Sequence, residues 1–212
     1  MDNIVDKVFI INLDSRPDRM NNMVQLMSEL HIKNWERFSA KKPHFSKIDK
    51  NLYKGYNRYH KLNKKYVKAS IGCKLSHLEI IKKAKEQKYA KILILEDDVE
   101  FIGNFRHIDI ALREVDKFSW DIVYLGMNKL KYEKIDSLVF INKVKDGLCT
   151  HSYIIHNRAY NKIINILENS DKQIDLEYKQ QFQNNKLNCY CMNNNQFIQN
   201  NSYSNINNFI KI

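Results

Sequence analysis

Short apolar blocks alternate along this chain with longer stretches in which apolar residues recur at helical spacing. That alternation predicts an α/β protein with a largely parallel sheet. Val8-Phe9-Ile10-Ile11-Asn12-Leu13 reads as a buried first strand, closing at Asp14-Ser15. A helix is predicted next, with Ser15 or Asp14 as its cap, Pro17 in its first turn, and Met20, Met23, Met27 and Leu30 along one face. Trp35-Glu36-Arg37-Phe38 is a short second strand, and residues 41–69 read as irregular. From Ser70 a helix carries Leu75, Leu78, Ile81 and Ala84 on one stripe into Ile92-Leu93-Ile94-Leu95, apolar on both faces as a central strand should be. Ile108, Leu112, Val115 and Phe118 mark another helix. Residues 122–125 and 138–141 follow as strands, 157–168 and 174–183 as helices, and the Asn-rich tail beyond Met192 as loop. No internal repeat breaks the series, so 212 residues make a single domain, with 1–126 and 127–212 as its two halves.

Composition narrows the class. An apolar fraction of 43% supports a core, while five Gly and two Pro exclude a linker-rich or collagen-like chain. The net charge of +11 suits a nucleic acid, a membrane surface or a small polyanionic ligand. Abundant Lys, Asn, Ile and Tyr also reflect AT-rich coding, which weakens any inference from charge alone. The acidic start Met1-Asp2-Asn3 lacks the basic region of a signal peptide, and no apolar run reaches the ~20 residues that cross a bilayer. Cys73, Cys149, Cys189 and Cys191 form no Cys-x-x-Cys pair and read as reduced thiols. A cytoplasmic protein is expected.

The chemistry concentrates at Glu96-Asp97-Asp98, which closes the most apolar strand, and open α/β sheets bind ligands beyond such strand ends. Successive carboxylates repel unless a cation or basic groups compensate them. In extended geometry Glu96 and Asp98 point to one side, offering hard oxygen ligands to Mg²⁺ or Mn²⁺, with Asp97 on the other. A solvated turn is the plainer alternative. The chain has no glycine-rich phosphate loop, so a diphosphate would need a cation and side chains such as Arg16 and Arg19. Ser76-His77 is no hydrolase relay, because neighbours on a helix point about 100° apart. His77 is instead expected to face the site while Cys73 packs.

Several blocks, in order over nearly the whole chain, resemble glycosyltransferase family 25, the lipooligosaccharide and collagen galactosyltransferase group. They are Phe9-Ile10-Ile11-Asn12-Leu13-Asp14-Ser15-Arg16-Pro17-Asp18-Arg19, Trp35-Glu36-Arg37-Phe38-Ser39-Ala40 and Gly72-Cys73-Lys74-Leu75-Ser76-His77. Leu93-Ile94-Leu95-Glu96-Asp97-Asp98-Val99, Trp120-Asp121-Ile122-Val123-Tyr124-Leu125-Gly126, Thr150-His151-Ser152-Tyr153 and Ile174-Asp175 complete the series. The resemblance implies a GT-A type fold, with a Rossmann-like, mixed, largely parallel sheet flanked by helices. It implies inverting transfer of a hexose, galactose or glucose, from a UDP-sugar to a saccharide or other hydroxyl acceptor. The divalent cation, Mn²⁺ or Mg²⁺, then falls to Asp98 and Glu96, with His151 completing the metal site or touching phosphate. Asn12, Leu13, Arg16, Arg19, Ala40, Ser76, His77 and Asp97 fall to the donor; Asp97 or Glu96 is the alternative ribose contact. Asp175 is the candidate general base, since inverting transfer needs a group to take the acceptor's proton.

Two positions depart from the family pattern: Lys41-Lys42 stand where Asp-Gly is usual, and Ser70 where Glu is usual. A protein that binds a donor but transfers poorly is therefore one expectation. The Lys- and Tyr-rich stretch 41–68 is expected to form an acceptor-side lid. Its composition also fits a nucleic-acid surface or a metal-dependent nuclease, and a non-catalytic sugar-binding module is a third reading. A bacterial or large-virus source fits the composition and the missing signal.

Overall fold

The structure, a computed structural model, describes residues 4–44, 46 and 64–200. Its elements are β1 (Lys7–Asn12), α1 (Pro17–Glu29), β2 (Trp35–Ser39), α2 (Lys64–Glu86), β3 (Lys91–Glu96), β4 (Val99–Phe101) and α3 (Phe105–Val115). There follow β5 (Ile122–Glu133), β6 (Ile141–His156), a 3₁₀ turn Asn157–Ala159, α4 (Tyr160–Glu168), α5 (Ile174–Gln183), β7 (Cys189–Met192) and β8 (Phe197–Gln199). Six strands form one sheet in the order β2-β1-β3-β6-β5-β7. The pairings run β2, β1, β3, β5 and β7 in one direction, with β6 alone opposed. The expected mixed, largely parallel class is the observed one.

Strand alternation divides the core. Phe9, Ile11, Ile92, Ile94 and Tyr153 pack under α2, α4 and α5. Val8, Ile10, Leu93, Leu95 and Ile154 pack under α1 and α3. Because both faces are covered, β1 and β3 are nearly continuous apolar runs.

Several local expectations change. The cap of α1 is Arg16, without a side-chain cap bond. Asp14 instead accepts from Ser39 and Arg37, and Ser15 from Lys42. Helix α2 spans Lys64–Glu86, so 64–69 are helical rather than irregular; Tyr53, Tyr56 and Tyr59 lie outside the described residues. The strand expected at 138–141 begins only at Ile141, and Val139 is 65% exposed. The tail contributes β8, which pairs with β4 across Val99–Gln199 and Phe101–Phe197.

Strand β6 positions the site. Between the pairings Asn128–Leu148 and Gly126–Ser152 it carries extra residues, a bulge that re-aims side chains. Cys149 in this bulge holds φ at +87°, a left-handed conformation that an L side chain rarely adopts.

Candidate active site

A cavity of about 420 Å³ opens beyond the C-terminal ends of β1, β2 and β3, where strand direction places ligand crevices in open α/β sheets. Its floor is Glu96, Asp97 and Asp98; one wall is α2, and another is the turn leading into α5 with Ile174 and Asp175. Lys41, Lys42, Lys65 and Lys68 also line it, so anionic and cationic groups face each other across one space. Thr150 comes from the β6 bulge and Gln199 from β8.

Extended geometry does not continue through the acidic triplet. Strand β3 ends at Glu96, and Asp97-Asp98 form a turn. The expected pairing of Glu96 with Asp98 on one side and Asp97 alone is therefore replaced: Asp97 and Asp98 both meet Arg19. The Arg19 guanidinium donates to Asp97 Oδ1 at 2.8 Å and to Asp98 Oδ2 at 3.4 Å. Asn12, almost fully buried, donates to Asp97 Oδ2 at 2.7 Å and to the Arg16 carbonyl at 3.0 Å. One end of the triplet is thus tied to β1 and α1.

Glu96 is held from the opposite side. Thr150 donates to Glu96 Oε1 at 3.1 Å, and His77 Nε2 stands 3.5 Å from the same oxygen. Burial raises the Glu96 carboxyl, but His77, His151 and Thr150 outweigh it, so its pKa lies below the usual value. Asp98 responds oppositely: burial and the neighbouring Glu96 charge push it up to about 6 against the pull of Arg19. Two carboxylates two residues apart therefore hold a proton with different affinities. Asp98 Oδ1 is buried and makes no hydrogen bond of normal geometry among the described residues. An inward-facing, under-satisfied carboxylate oxygen suits a hard divalent cation.

The helix α2 block organises the other walls. A Cβ on Gly72 would collide with the Lys41 carbonyl, so only glycine lets that strand end approach the helix. Ser76 Oγ accepts from the Lys41 backbone N–H at 2.8 Å and donates to the Gly72 carbonyl at 2.7 Å. Lys74, 2% exposed, donates to the Ser170 carbonyl at 2.6 Å, securing the segment that leads to Asp175.

Of the residues selected from sequence, Leu13, Arg19, Ala40, Ser76, His77, Glu96, Asp97, Asp98 and Asp175 line this one cavity. Asn12 and Arg16 lie behind it, Arg16 in a bidentate pair with Asp18 at 2.9 and 2.6 Å. His151 does not line the cavity either; its Nε2 faces the Phe197 carbonyl at 3.4 Å, and burial lowers its pKa. Cys73, expected to pack, lines the cavity instead. Its place four residues before His77 was the available sequence signal. Thr150 stood in the Thr150-His151-Ser152-Tyr153 block without a role, since a bulge decides where it points.

A carboxylate floor beneath lysine-bearing walls, at the carboxyl edge of parallel strands, defines an α/β protein built to receive a small charged ligand. The family model for Glycosyltransferase family 25 (LPS biosynthesis protein) matches residues 5–178, and the chain belongs to that family. Among curated relatives it is 30% identical to procollagen galactosyltransferase 1-B of Xenopus laevis over 76% of this chain and 28% of that one. It is 31% identical to the inactive glycosyltransferase 25 family member 3 of Homo sapiens over 61% of this chain and 23% of the relative. The chain therefore spans about a quarter of the length of the curated relatives it matches. Among solved structures, the A197 protein from STIV aligns with a TM-score of 0.49 at 13% identity, covering 93% of this chain and 95% of that one. A glycosyltransferase involved in glycosylation of the major capsid of PBCV-1 aligns at 0.47 and 8% identity, covering 94% of each chain.

Proposed function

We propose that this chain is an inverting glycosyltransferase that moves a hexose, galactose or glucose, from a UDP-sugar to a hydroxyl of a saccharide or other acceptor. The observation that carries this reading is the single cavity joining the Glu96-Asp97-Asp98 floor, the lysine rim and Asp175. Family membership supports the reaction class.

The oxygen donors fit a hard divalent cation, Mn²⁺ or Mg²⁺. Asp98 supplies an under-satisfied buried oxygen, and Glu96 a low-pKa carboxylate within the same space. When bound, such a cation supplies Lewis acidity that neutralises charge on the departing diphosphate. The protein does the remainder. Arg19 and Asn12 fix the Asp97 carboxylate, which is positioned to accept hydrogen bonds from donor hydroxyls. Lys41, Lys42, Lys65 and Lys68 attract the phosphates. Asp175 stands in the first turn of α5, on the cavity wall, and takes the proton from the acceptor hydroxyl as that oxygen attacks.

The test is UDP release from a panel of UDP-sugars with Mn²⁺, alongside donor-dependent thermal shift. Turnover with one hexose, abolished in Asp98→Ala and Asp175→Asn, supports the reading; Asp175→Asn should keep UDP binding while Asp98→Ala loses it. Absence of both release and donor-dependent shift overturns it. Binding without release would make the chain a donor-binding module. The altered Lys41-Lys42 wall, which meets α2 through Ser76 and Gly72, would then be the first place to look.

A further inference from the structure

The cavity wall carries a second donor set beside the oxygen pair. Cys73 and His77 stand one turn apart on the same face of α2. Their ligating atoms and a carboxylate oxygen of Glu96 all lie within 4.8 Å of one another. The imidazole is fully buried, and its orientation is fixed: Nδ1 meets the Tyr153 hydroxyl at 2.7 Å, and the two rings stack with centroids 5.6 Å apart. Nε2 is turned toward Glu96 and makes no hydrogen bond of normal geometry among the described residues. A histidine locked through one ring nitrogen, with the other presented toward a carboxylate and a thiol, has the arrangement of a metal ligand held by its outer partner.

We propose that Cys73, His77 and Glu96 form a binding site for a borderline-soft divalent cation, Zn²⁺, with a fourth position facing the cavity. The donor chemistry separates this site from the all-oxygen pair. Sulfur, imidazole and one carboxylate match Zn²⁺, whereas Mg²⁺ and Mn²⁺ favour carboxylate, carbonyl and water oxygens. Binding displaces the thiol proton: the Cys73 S–H bond breaks, a Zn–S bond forms, and the proton passes to solvent. Glu96 belongs to both sets, so zinc at this site withdraws it from the cation that Asp98 would hold. On the transferase reading, zinc is therefore an inhibitor that competes with Mn²⁺. The binding itself does not depend on that reading.

The experiment titrates chelator-stripped full chain with Zn²⁺ against a chromophoric chelator, and separately with Co²⁺ followed by absorption. Wild type should bind a single Zn²⁺, and its Co²⁺ adduct should show a thiolate charge-transfer band. Cys73→Ser, confirmed folded by circular dichroism, should lose the band and weaken Zn²⁺ binding by at least ~10-fold, the lower end of what even outer partners contribute. His77→Gln should weaken it similarly and serves as the second variant if Cys73→Ser does not fold. Cys149→Ser, which alters the other cavity cysteine, should keep both signals. Asp98→Asn should retain Zn²⁺ binding while losing Mn²⁺-dependent UDP binding. Equal Zn²⁺ affinity in wild type and Cys73→Ser, or a Co²⁺ adduct without the thiolate band, overturns the site. Loss of Zn²⁺ binding in Asp98→Asn also overturns it, by placing the metal on the oxygen pair. Zinc bound as expected in a chain that ignores UDP supports the site and refutes only the donor reading.

Discussion

Arg19 is bonded to Asp97 at 2.8 Å while only 6% exposed, so a buried guanidinium on α1 neutralises an acidic turn at the end of β3. The contact spans 78 residues of sequence and reaches Asp98 as well. It sets one buried positive charge against two adjacent carboxylates and so offsets part of their mutual repulsion. Removing one partner of a buried ion pair leaves the other charge desolvated and uncompensated, at a cost of about 3–5 kcal/mol. Arg19→Met should therefore lower unfolding stability at pH 7 by that order in denaturant titration. The deficit should be smaller at pH 5, below the value of about 6 at which Asp98 takes up its proton. An equal deficit at both pH values would show that Arg19 acts by packing alone.

Asp98 gives a pH dependence of definite sign. Its pKa in the fold is raised to about 6, from an ordinary value of 3.8. Between those values the native state binds a proton that the unfolded chain has lost, so stability falls as pH rises through this window. At about 1.4 kcal/mol per unit the ceiling is ~3 kcal/mol. In metal-free buffer, Asp98→Asn should be the more stable protein at pH 7.5, with its advantage gone near pH 4. Denaturant midpoints of the two proteins across that range check the slope. Mn²⁺ should also bind wild type more tightly as pH rises through 6, because cation and proton compete for one carboxylate.

Cys149 offers a backbone test. At φ +87° an L residue is strained by roughly 1–2 kcal/mol, and glycine is not. Comparing Cys149→Ala with Cys149→Gly removes the thiol in both and leaves only the backbone preference. The glycine variant should be the more stable by about 1–2 kcal/mol, the reverse of the order in a helix. If alanine proves the better residue, the bulge that aims Thr150 at Glu96 is not strained.

Pattern reading found what repeats and missed what bends. Residues Val8–Ile11 and Ile92–Leu95 were legible as buried strands because helices cover both faces, and that leaves near-continuous apolar runs. The acidic end of β3 was legible because ligand sites gather at strand ends. The side of each carboxylate was not. The chain turns at Asp97-Asp98, and strand alternation no longer applies there. Thr150 and Gln199 reach the cavity through a bulge and a short antiparallel pairing, both set by distant partners. Cys73 reaches it through helical phase, which the sequence carried all along.

Lys74 ties helix α2 to the segment that leads into Asp175. It sits within the Gly-Cys-Lys-Leu-Ser-His block, is buried, and donates to the Ser170 carbonyl, while Ser170 Oγ donates to Glu177 at 2.5 Å. Burial lowers its pKa to about 8, against the pull of Glu177 and Asp171. Between about 8 and the ordinary 10.5 the unfolded chain binds more protons than the native one, so this group makes stability rise with pH in that window. Lys74→Met removes the titration but leaves the Ser170 carbonyl without its donor. The stability of wild type relative to Lys74→Met should therefore increase from pH 8 to pH 10, by at most ~3 kcal/mol. Paired unfolding curves at the two pH values measure it. A difference that stays constant would mean that the Lys74 ammonium is already well solvated by its partners at neutral pH. Because Ser170 leads into the turn bearing Asp175, the same variant should lose turnover while holding UDP with nearly wild-type affinity. Parallel loss of both would place Lys74 in the general stability of α2 rather than in the alignment of Asp175.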